Sequence, residues 1–156
     1  QKRIASREYL AVVHGAPVGD AGTIIGAIGR HPVDRKKYAV VQDGSGRHAC
    51  THWRLIERLG PYSLLRFKLD TGRTHQIRVH CAHIGHPIVG DATYSRCRHL
   101  PVDLPGQALH AVQLGLDHPI RGERLVLEAP LPERFATLLR VLRGSDPSAS
   151  GVPGAG

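Results

Sequence analysis

The stretch that decides the fold reads TGRTHQIRVH, residues 71–80. Just before it, apolar residues alternate with charged ones from Leu65 to Leu69, which predicts that residues 62–69 form a strand with one solvent-exposed face. Just after it, apolar residues recur at spacings of four and three from Ile77, which predicts a helix. We expect Thr74 to cap this helix and Gly85 to end it. A strand-to-helix junction is therefore predicted at residues 70–74, which we call the glycine turn.

Strand-like runs outnumber helix-like runs in the rest of the chain. Strands are predicted over residues 9–13, 49–56, 62–69, 109–116 and 124–129. A second helix follows Pro132, because apolar residues fall at i, i+3, i+4 and i+7 from Phe135, and Gly144 can end it. Residues 29–47 indicate a basic, mostly extended excursion. No regular βαβ alternation appears, so the pattern predicts the α+β class.

The composition favours a polyanionic partner. Lys and Arg number 21 against 13 Asp and Glu, a net charge of +8, which points to nucleic acid before a membrane surface. No apolar run approaches the roughly 20 residues needed to cross a bilayer. The cysteines are odd in number and show no CxxC spacing, which favours a reducing compartment. We therefore expect a cytoplasmic protein. Because the chain opens with Gln1, an upstream region could still hold a targeting segment.

The stretch at residues 71–80 also carries the most chemistry. It places arginines, histidines and a glutamine around a predicted helix start, in its first two turns. Free backbone N–H groups there, together with the planar guanidinium fork of arginine, can hold a phosphate or fix a carboxylate. An ordinary solvated basic helix start is the alternative interpretation.

The same string resembles the signature of the RluA-type RNA pseudouridine synthases. Further blocks resemble that family and follow in its order, at residues 7–15, 31–37, 51–58, 84–91 and 107–111. Arg7 stands where the family usually has lysine. A ten-residue string with five ordered blocks is far more specific than a single glycine motif. The blocks HPVDRKK and THWRLIER are most similar to the branch that acts on ribosomal RNA.

The resemblance implies a fold, a reaction and two catalytic residues. The implied fold is a mixed, mainly antiparallel sheet with a few helices around a central cleft, incomplete here at its N-terminus. The implied reaction isomerises uridine to pseudouridine in structured RNA, with no cofactor and no metal. Tyr9 matches the tyrosine that lies against the uracil, and Arg78 matches the residue that pairs with the catalytic aspartate. That aspartate lies in an HRLD-type motif that this sequence lacks, so we expect the chain alone to be inactive.

The resemblance also suggests which residues bind RNA. The candidates for contact with the RNA backbone lie at the start of the predicted helix and are Arg73, His75 and Gln76. Weaker candidates lie in the basic excursion and are Arg35, Lys36 and Lys37. Ribosomal RNA is the expected partner, transfer RNA stays open, and no membrane partner is expected. We expect a monomer when the protein is complete. Residues 1–143 are expected to form part of the catalytic domain, followed by a disordered tail at 144–156.

Three alternatives remain at this level. The first is a non-catalytic RNA-binding module on the same scaffold, which the charge supports equally well. The second is a metal site among the histidines near Cys81, but HExxH and CxxC spacings are missing, so no metal is predicted. The third is a nucleophilic Cys81 paired with His110, although its place on an apolar stripe favours burial. Asp91, after a glycine, is expected to brace a turn.

Overall fold

The computed structural model describes residues 3–97, 99–117, 124–128 and 130–145. The main strands are β1 (Arg3–His14), β2 (Ala21–Ile25), β5 (Cys50–Leu59), β6 (Tyr62–Leu69), β7 (Leu109–Asp117) and β8 (Arg124–Glu128). They form one sheet in the order β2-β5-β6-β1-β7-β8, in which each pairing is antiparallel. Two helices, α1 (Gln76–His83) and α2 (Glu133–Ser145), complete the fold. The α+β prediction is confirmed.

The core lies around the two central strands of the sheet. In β1, three consecutive residues from Ala11 to Val13 are fully buried. A strand buried on both faces reads as a continuous apolar run, which is why this segment could be predicted. In β6, Leu65 and Phe67 are also fully buried, while the exposed Lys68 lies between Phe67 and Leu69. The alternation predicted for this strand is therefore confirmed.

The second helix closes the core as its spacing predicted. The buried residues of α2 are Phe135, Leu138, Leu139 and Leu142, and all belong to the same apolar cluster as the central strands. The helix runs to Ser145, one residue beyond the glycine that was expected to end it. The tail from residue 146 lies outside the described residues. No helix among the described residues is both long enough and apolar enough to cross a membrane.

Strand β2 was not predicted. β2 pairs with β5 at an edge of the sheet, although its sequence AGTII is short and contains glycine. Gly22 is required there because a Cβ atom at this position would lie 2.7 Å from the Trp53 ring. A tertiary contact thus sets the residue type, and it weakens the local strand signal.

The basic excursion folds into a short hairpin of its own. Its strands β3 (Ile28–Arg30) and β4 (Tyr38–Val40) pair antiparallel in a separate sheet. The buried Ile28, Ala49 and Val79 form a small second cluster that joins this hairpin to α1. The excursion is therefore extended, as predicted, and it packs beside the helix that follows the glycine turn.

Replacing a core side chain should destabilise the fold far more than the same replacement at the surface. Leu65 is fully buried, whereas Leu100 is 37% exposed. We expect Leu65→Ala to lower the free energy of unfolding by about 2–5 kcal/mol, because it removes buried methyl groups and leaves a cavity. Leu100→Ala should change it by only about 0.5 kcal/mol. Urea unfolding followed by circular dichroism measures both, and equal losses would contradict this description of the core.

Candidate active site

A cleft of about 300 Å³ opens where β6 ends and α1 begins. Its walls come from β1, the glycine turn, α1 and the segment before β7. Tyr9 and Arg78, the two residues expected to be catalytic, both line it. Arg7 and Gln107 line it too, and the sequence analysis had assigned them no role. The fold therefore brings together a phenol and several cationic groups in one concave site.

Tyr9 lies on the central strand β1, opposite Phe67 of β6. On its other side the pairing of β1 with β7 shifts register between Glu8 and Tyr9. Such irregularities redirect a side chain and occur often beside active sites. The half-buried Tyr9 ring thus lies on a rigid strand at a local irregularity.

Arg78 forms a buried ion pair with Asp91. Its Nε donates to Oδ2 and its Nη2 to Oδ1, both at 2.9 Å, and the Asp91 side chain is fully buried. Oδ1 also accepts the backbone N–H groups of Thr93 and Tyr94, at 3.1 Å each. The expectation that Asp91 braces a turn is therefore confirmed, but its pairing with Arg78 was not anticipated.

The ion pair sets the charge of both partners. Burial alone raises the pKa of the Asp91 carboxyl, but the bonds from Arg78 and the turn outweigh it and hold that pKa below its usual value. The bond to Asp91 raises the pKa of Arg78. Arg78 also lies over the Tyr94 ring, with Cζ 5.0 Å from the ring centroid. Among the described residues nothing accepts a bond from Nη1 of Arg78, so this nitrogen can still bind a carboxylate or phosphate.

The start of α1 differs from the prediction. Its cap is His75, not Thr74, and no side chain caps the helix. His75 adopts a left-handed backbone with φ of 55°. Its ring packs edge-on between Tyr38 and Tyr94, and Nδ1 is hydrogen-bonded to the Tyr94 hydroxyl at 2.8 Å. Tertiary contacts thus hold a conformation that local propensity disfavours.

Burial, and then the charge of Arg78, lower the pKa of His75 and favour its neutral ring. His75 and Arg73 both precede the helix, which begins at Gln76. With Thr74 as the predicted cap, His75 was expected in the first turn of the helix and Arg73 just before it. Both still line the cleft.

Gln76 is buried, with its amide fully engaged. Nε2 donates to the Cys50 carbonyl at 3.0 Å and to the Thr51 hydroxyl at 2.9 Å. Oε1 accepts the Thr71 hydroxyl at 2.7 Å and the Arg73 backbone N–H at 3.0 Å. All four hydrogen-bonding positions of the amide are used. We therefore assign Gln76 to holding the glycine turn against β5, in place of the RNA contact expected from the sequence.

A second, more polar cavity of about 390 Å³ adjoins the first. Arg30 and Arg47 line it, and Arg73 lines both cavities. The sequence analysis named neither Arg30 nor Arg47, since neither falls in the signature or in a run of basic residues. Arg35, Lys36 and Lys37 lie in the turn between β3 and β4, where the first two are exposed.

The alternatives based on Cys81 find no support in the geometry. The Cys81 thiol is fully buried, and burial raises its pKa, so it is not an accessible nucleophile. The neighbouring His80 is buried between the Thr51 hydroxyl and the Gly26 carbonyl. Among the described residues, the group with metal-ligand chemistry is Cys50, His52 and Asp70, which does not line the cleft.

Comparison with known proteins identifies the family. The sequence model of the RNA pseudouridylate synthase family matches residues 1–83. The chain belongs to this family. An uncharacterized RNA pseudouridine synthase of Synechocystis is 50% identical over 144 residues, covering 92% of this chain and 44% of that protein. The ribosomal large subunit pseudouridine synthase D of Pseudomonas aeruginosa is 49% identical, covering 92% of this chain and 47% of that protein.

Solved structures of the family share the fold. The human RNA pseudouridylate synthase domain containing 1 matches with a TM-score of 0.69 at 28% identity, covering 91% of this chain and 67% of that one. These findings confirm both the resemblance and the predicted fold of a pseudouridine synthase. The chain spans about half the length of the curated relatives it matches.

Breaking the buried ion pair should cost stability in a pH-dependent way. We expect Asp91→Asn to lower the free energy of unfolding by about 3–5 kcal/mol near neutral pH, because it leaves a buried guanidinium without its partner. The pKa of Asp91 is lowered on folding. Its contribution is therefore present above the unfolded pKa of about 3.9 and is lost as pH falls through the folded pKa. Urea unfolding of both proteins across this range measures the difference.

Asp103→Asn is the matched control, because Asp103 also pairs with an arginine, Arg134, but with side chains 90% and 59% exposed. We expect a small effect at every pH, as for other surface ion pairs. If the two substitutions cost the same, the Arg78–Asp91 pair is not the buried structural element described above.

Proposed function

We propose that this chain forms part of an enzyme that isomerises uridine to pseudouridine in structured RNA, with ribosomal RNA as the first candidate. The observation that carries the proposal is that Tyr9 and Arg78 line one cleft, where no described residue accepts a bond from Nη1 of Arg78. Membership of the family supports the reaction. The names of the relatives from Nitrosomonas europaea and Pseudomonas aeruginosa, ribosomal large subunit pseudouridine synthase D, support ribosomal RNA over transfer RNA.

The proposed chemistry breaks one bond to the ribose and makes another. The N1–C1′ bond of the uridine is cleaved, the uracil turns, and a C5–C1′ bond forms, after which C5 loses its hydrogen as a proton and N1 takes up a proton. The target base must first leave its stack to reach the cleft. Tyr9 offers a flat face against the uracil and a phenol oxygen for proton transfer at C5. These steps need no cofactor and no metal.

We propose that the carboxylate needed close to C1′ lies outside residues 1–156, whose sequence has no HRLD-type motif. The relatives are about twice as long as this chain, and we propose that their additional part corresponds to the segment with this aspartate. We propose that Nη1 of Arg78 donates a hydrogen bond to this carboxylate. A guanidinium beside a carboxylate keeps it ionised in a closed site.

We propose that the RNA backbone lies across the two cavities that share Arg73. Arg7, Arg78, Arg30 and Arg47 then surround it with fixed positive charge. The exposed Arg35 and Lys36 and the adjacent Lys37 extend this basic surface, and the exposed, neutral ring of His75 can add a hydrogen bond to it. Such a surface suits structured RNA, because proteins contact its phosphates and unpaired bases more than the edges of its base pairs.

Tritium release from RNA carrying C5-tritiated uridine tests the proposed reaction. We expect release by a protein that joins this chain to the upstream region of its gene, and none by residues 1–156 alone. In the longer protein, Tyr9→Phe should slow release by at least about 100-fold, because it keeps the ring but removes the phenol oxygen proposed for proton transfer at C5. Tyr62→Phe, which alters a tyrosine outside the cleft, should leave the rate unchanged. Binding without release by either protein would favour a non-catalytic RNA-binding module.

RNA affinity as a function of salt tests the proposed surface. We expect Arg73→Gln to weaken binding uniformly across RNA sequences and to reduce the slope of log K against log salt by about 1, because one phosphate contact is lost. Arg140→Gln is the control and should change neither quantity. Filter binding at several salt concentrations measures both. An unchanged slope for Arg73→Gln would remove the two cavities from the RNA path.

A further inference from the structure

Three side chains that ligate transition metals converge at one end of the β5–β6 hairpin. Cys50 and His52 are two residues apart on β5, so their side chains project from the same face of the strand. Asp70 follows β6 directly, and its backbone N–H donates to the Cys50 carbonyl at 3.3 Å. The antiparallel pairing of two strands thus brings a thiol, an imidazole and a carboxylate to one place.

Their ligand atoms have the spacing of a metal site. Nε2 of His52 lies 3.7 Å from Sγ of Cys50 and 2.6 Å from Oδ2 of Asp70, and all three ligand atoms lie within 4.8 Å of one another. Tetrahedral zinc with ordinary bond lengths would separate such atoms by roughly 3.4–3.6 Å. The sulfur and nitrogen are already at that distance. The carboxylate must move outward by about 1 Å, which its exposed position allows.

We propose that Cys50, His52 and Asp70 bind one Zn²⁺ ion, with water as the fourth ligand. A thiolate and a carboxylate together neutralise the charge of the ion, and the Cys50 thiol releases its proton to solvent on binding. Thiolate and imidazole favour zinc over magnesium or calcium. His52 and Asp70 are partly exposed, with side-chain exposures of 42% and 54%, so water can reach the ion.

One neighbouring residue orients His52, and one nearby positive charge opposes metal binding. The Thr23 hydroxyl is hydrogen-bonded to Nδ1 of His52 at 3.0 Å, which fixes the ring with Nε2 toward the other two ligands. Such an outer partner is typical of histidines that bind metals. Lys68 lies opposite His52 in the strand register, and its positive charge repels the ion. Its exposed ammonium is screened by solvent.

A metal ion here would be connected to the cleft through hydrogen bonds of the Cys50 backbone. The Cys50 N–H donates to the Thr71 hydroxyl at 3.2 Å, and its carbonyl accepts from Gln76 at 3.0 Å. The ion would therefore tie the hairpin to the glycine turn that leads to Arg73. None of the three ligands lines the cleft, so this proposal does not depend on the proposed reaction.

Titration of the reduced full-length protein with Co²⁺ tests the site, with Zn²⁺ added as competitor. We expect one Co²⁺ per chain, the near-ultraviolet charge-transfer absorption of a cobalt thiolate, and its loss on addition of Zn²⁺. Cys50→Ser should abolish the absorption. Asp70→Asn should weaken binding by at least about tenfold, and Thr23→Val, which removes only the outer partner, by about 10–100-fold.

Cys97→Ser is the matched control, since Cys97 is exposed and distant in sequence, and it should leave the titration unchanged. Circular dichroism checks that each variant is folded. Asp70→Asn keeps the test decisive if Cys50→Ser fails to fold, because Asp70 is at the surface. Absence of a thiolate absorption, its persistence in Cys50→Ser or its loss in Cys97→Ser would overturn the proposal, leaving a surface His52–Asp70 ion pair beside a cysteine.

Discussion

The cleft depends on the buried ion pair between Arg78 and Asp91. One carboxylate oxygen binds the guanidinium and two backbone N–H groups of the following turn, so helix and turn are fixed to each other. The turn places Tyr94 under Arg78, and the Tyr94 hydroxyl then binds both His75 and the backbone of Tyr38. A single charge pair thus positions the helix start and the small hairpin beside it. Either partner without the other would be a buried charge, which is costly.

Apolar packing and buried polar contacts have different roles here. The fully buried side chains of β1 and β6 set which strands pair, but many arrangements of α1 would cover them equally well. The amide of Gln76 removes that freedom, because its four bonds connect the glycine turn to β5. His80 does the same one turn later, between Thr51 and Gly26. These neutral groups position the helix without adding charge to the cleft.

The sequence predicted what local patterns determine and missed what distant contacts determine. The strand around Tyr9 follows from a continuous apolar run, whereas the strand around Phe67 and the helix beginning near Ile77 follow from periodicity. The cap at His75 does not, since its left-handed backbone is held by rings from other segments. The pairing of Arg78 with Asp91 also requires the fold. The family blocks at residues 7–15 and 71–80 identified Tyr9 and Arg78 as candidates, but spacing alone could not show that Gln76 would be buried.

The charges around the cleft favour the binding of a carboxylate. Asp91 neutralises one charge of Arg78, yet it engages only Nε and Nη2. Arg7 and Arg73 line the same space, and no aspartate or glutamate does so among the described residues. A carboxylate entering the cleft would therefore find an unused guanidinium donor and a positive field, both of which favour its ionised form. The ion pair orients Arg78, while the surplus of arginine leaves the cleft open to a further anion.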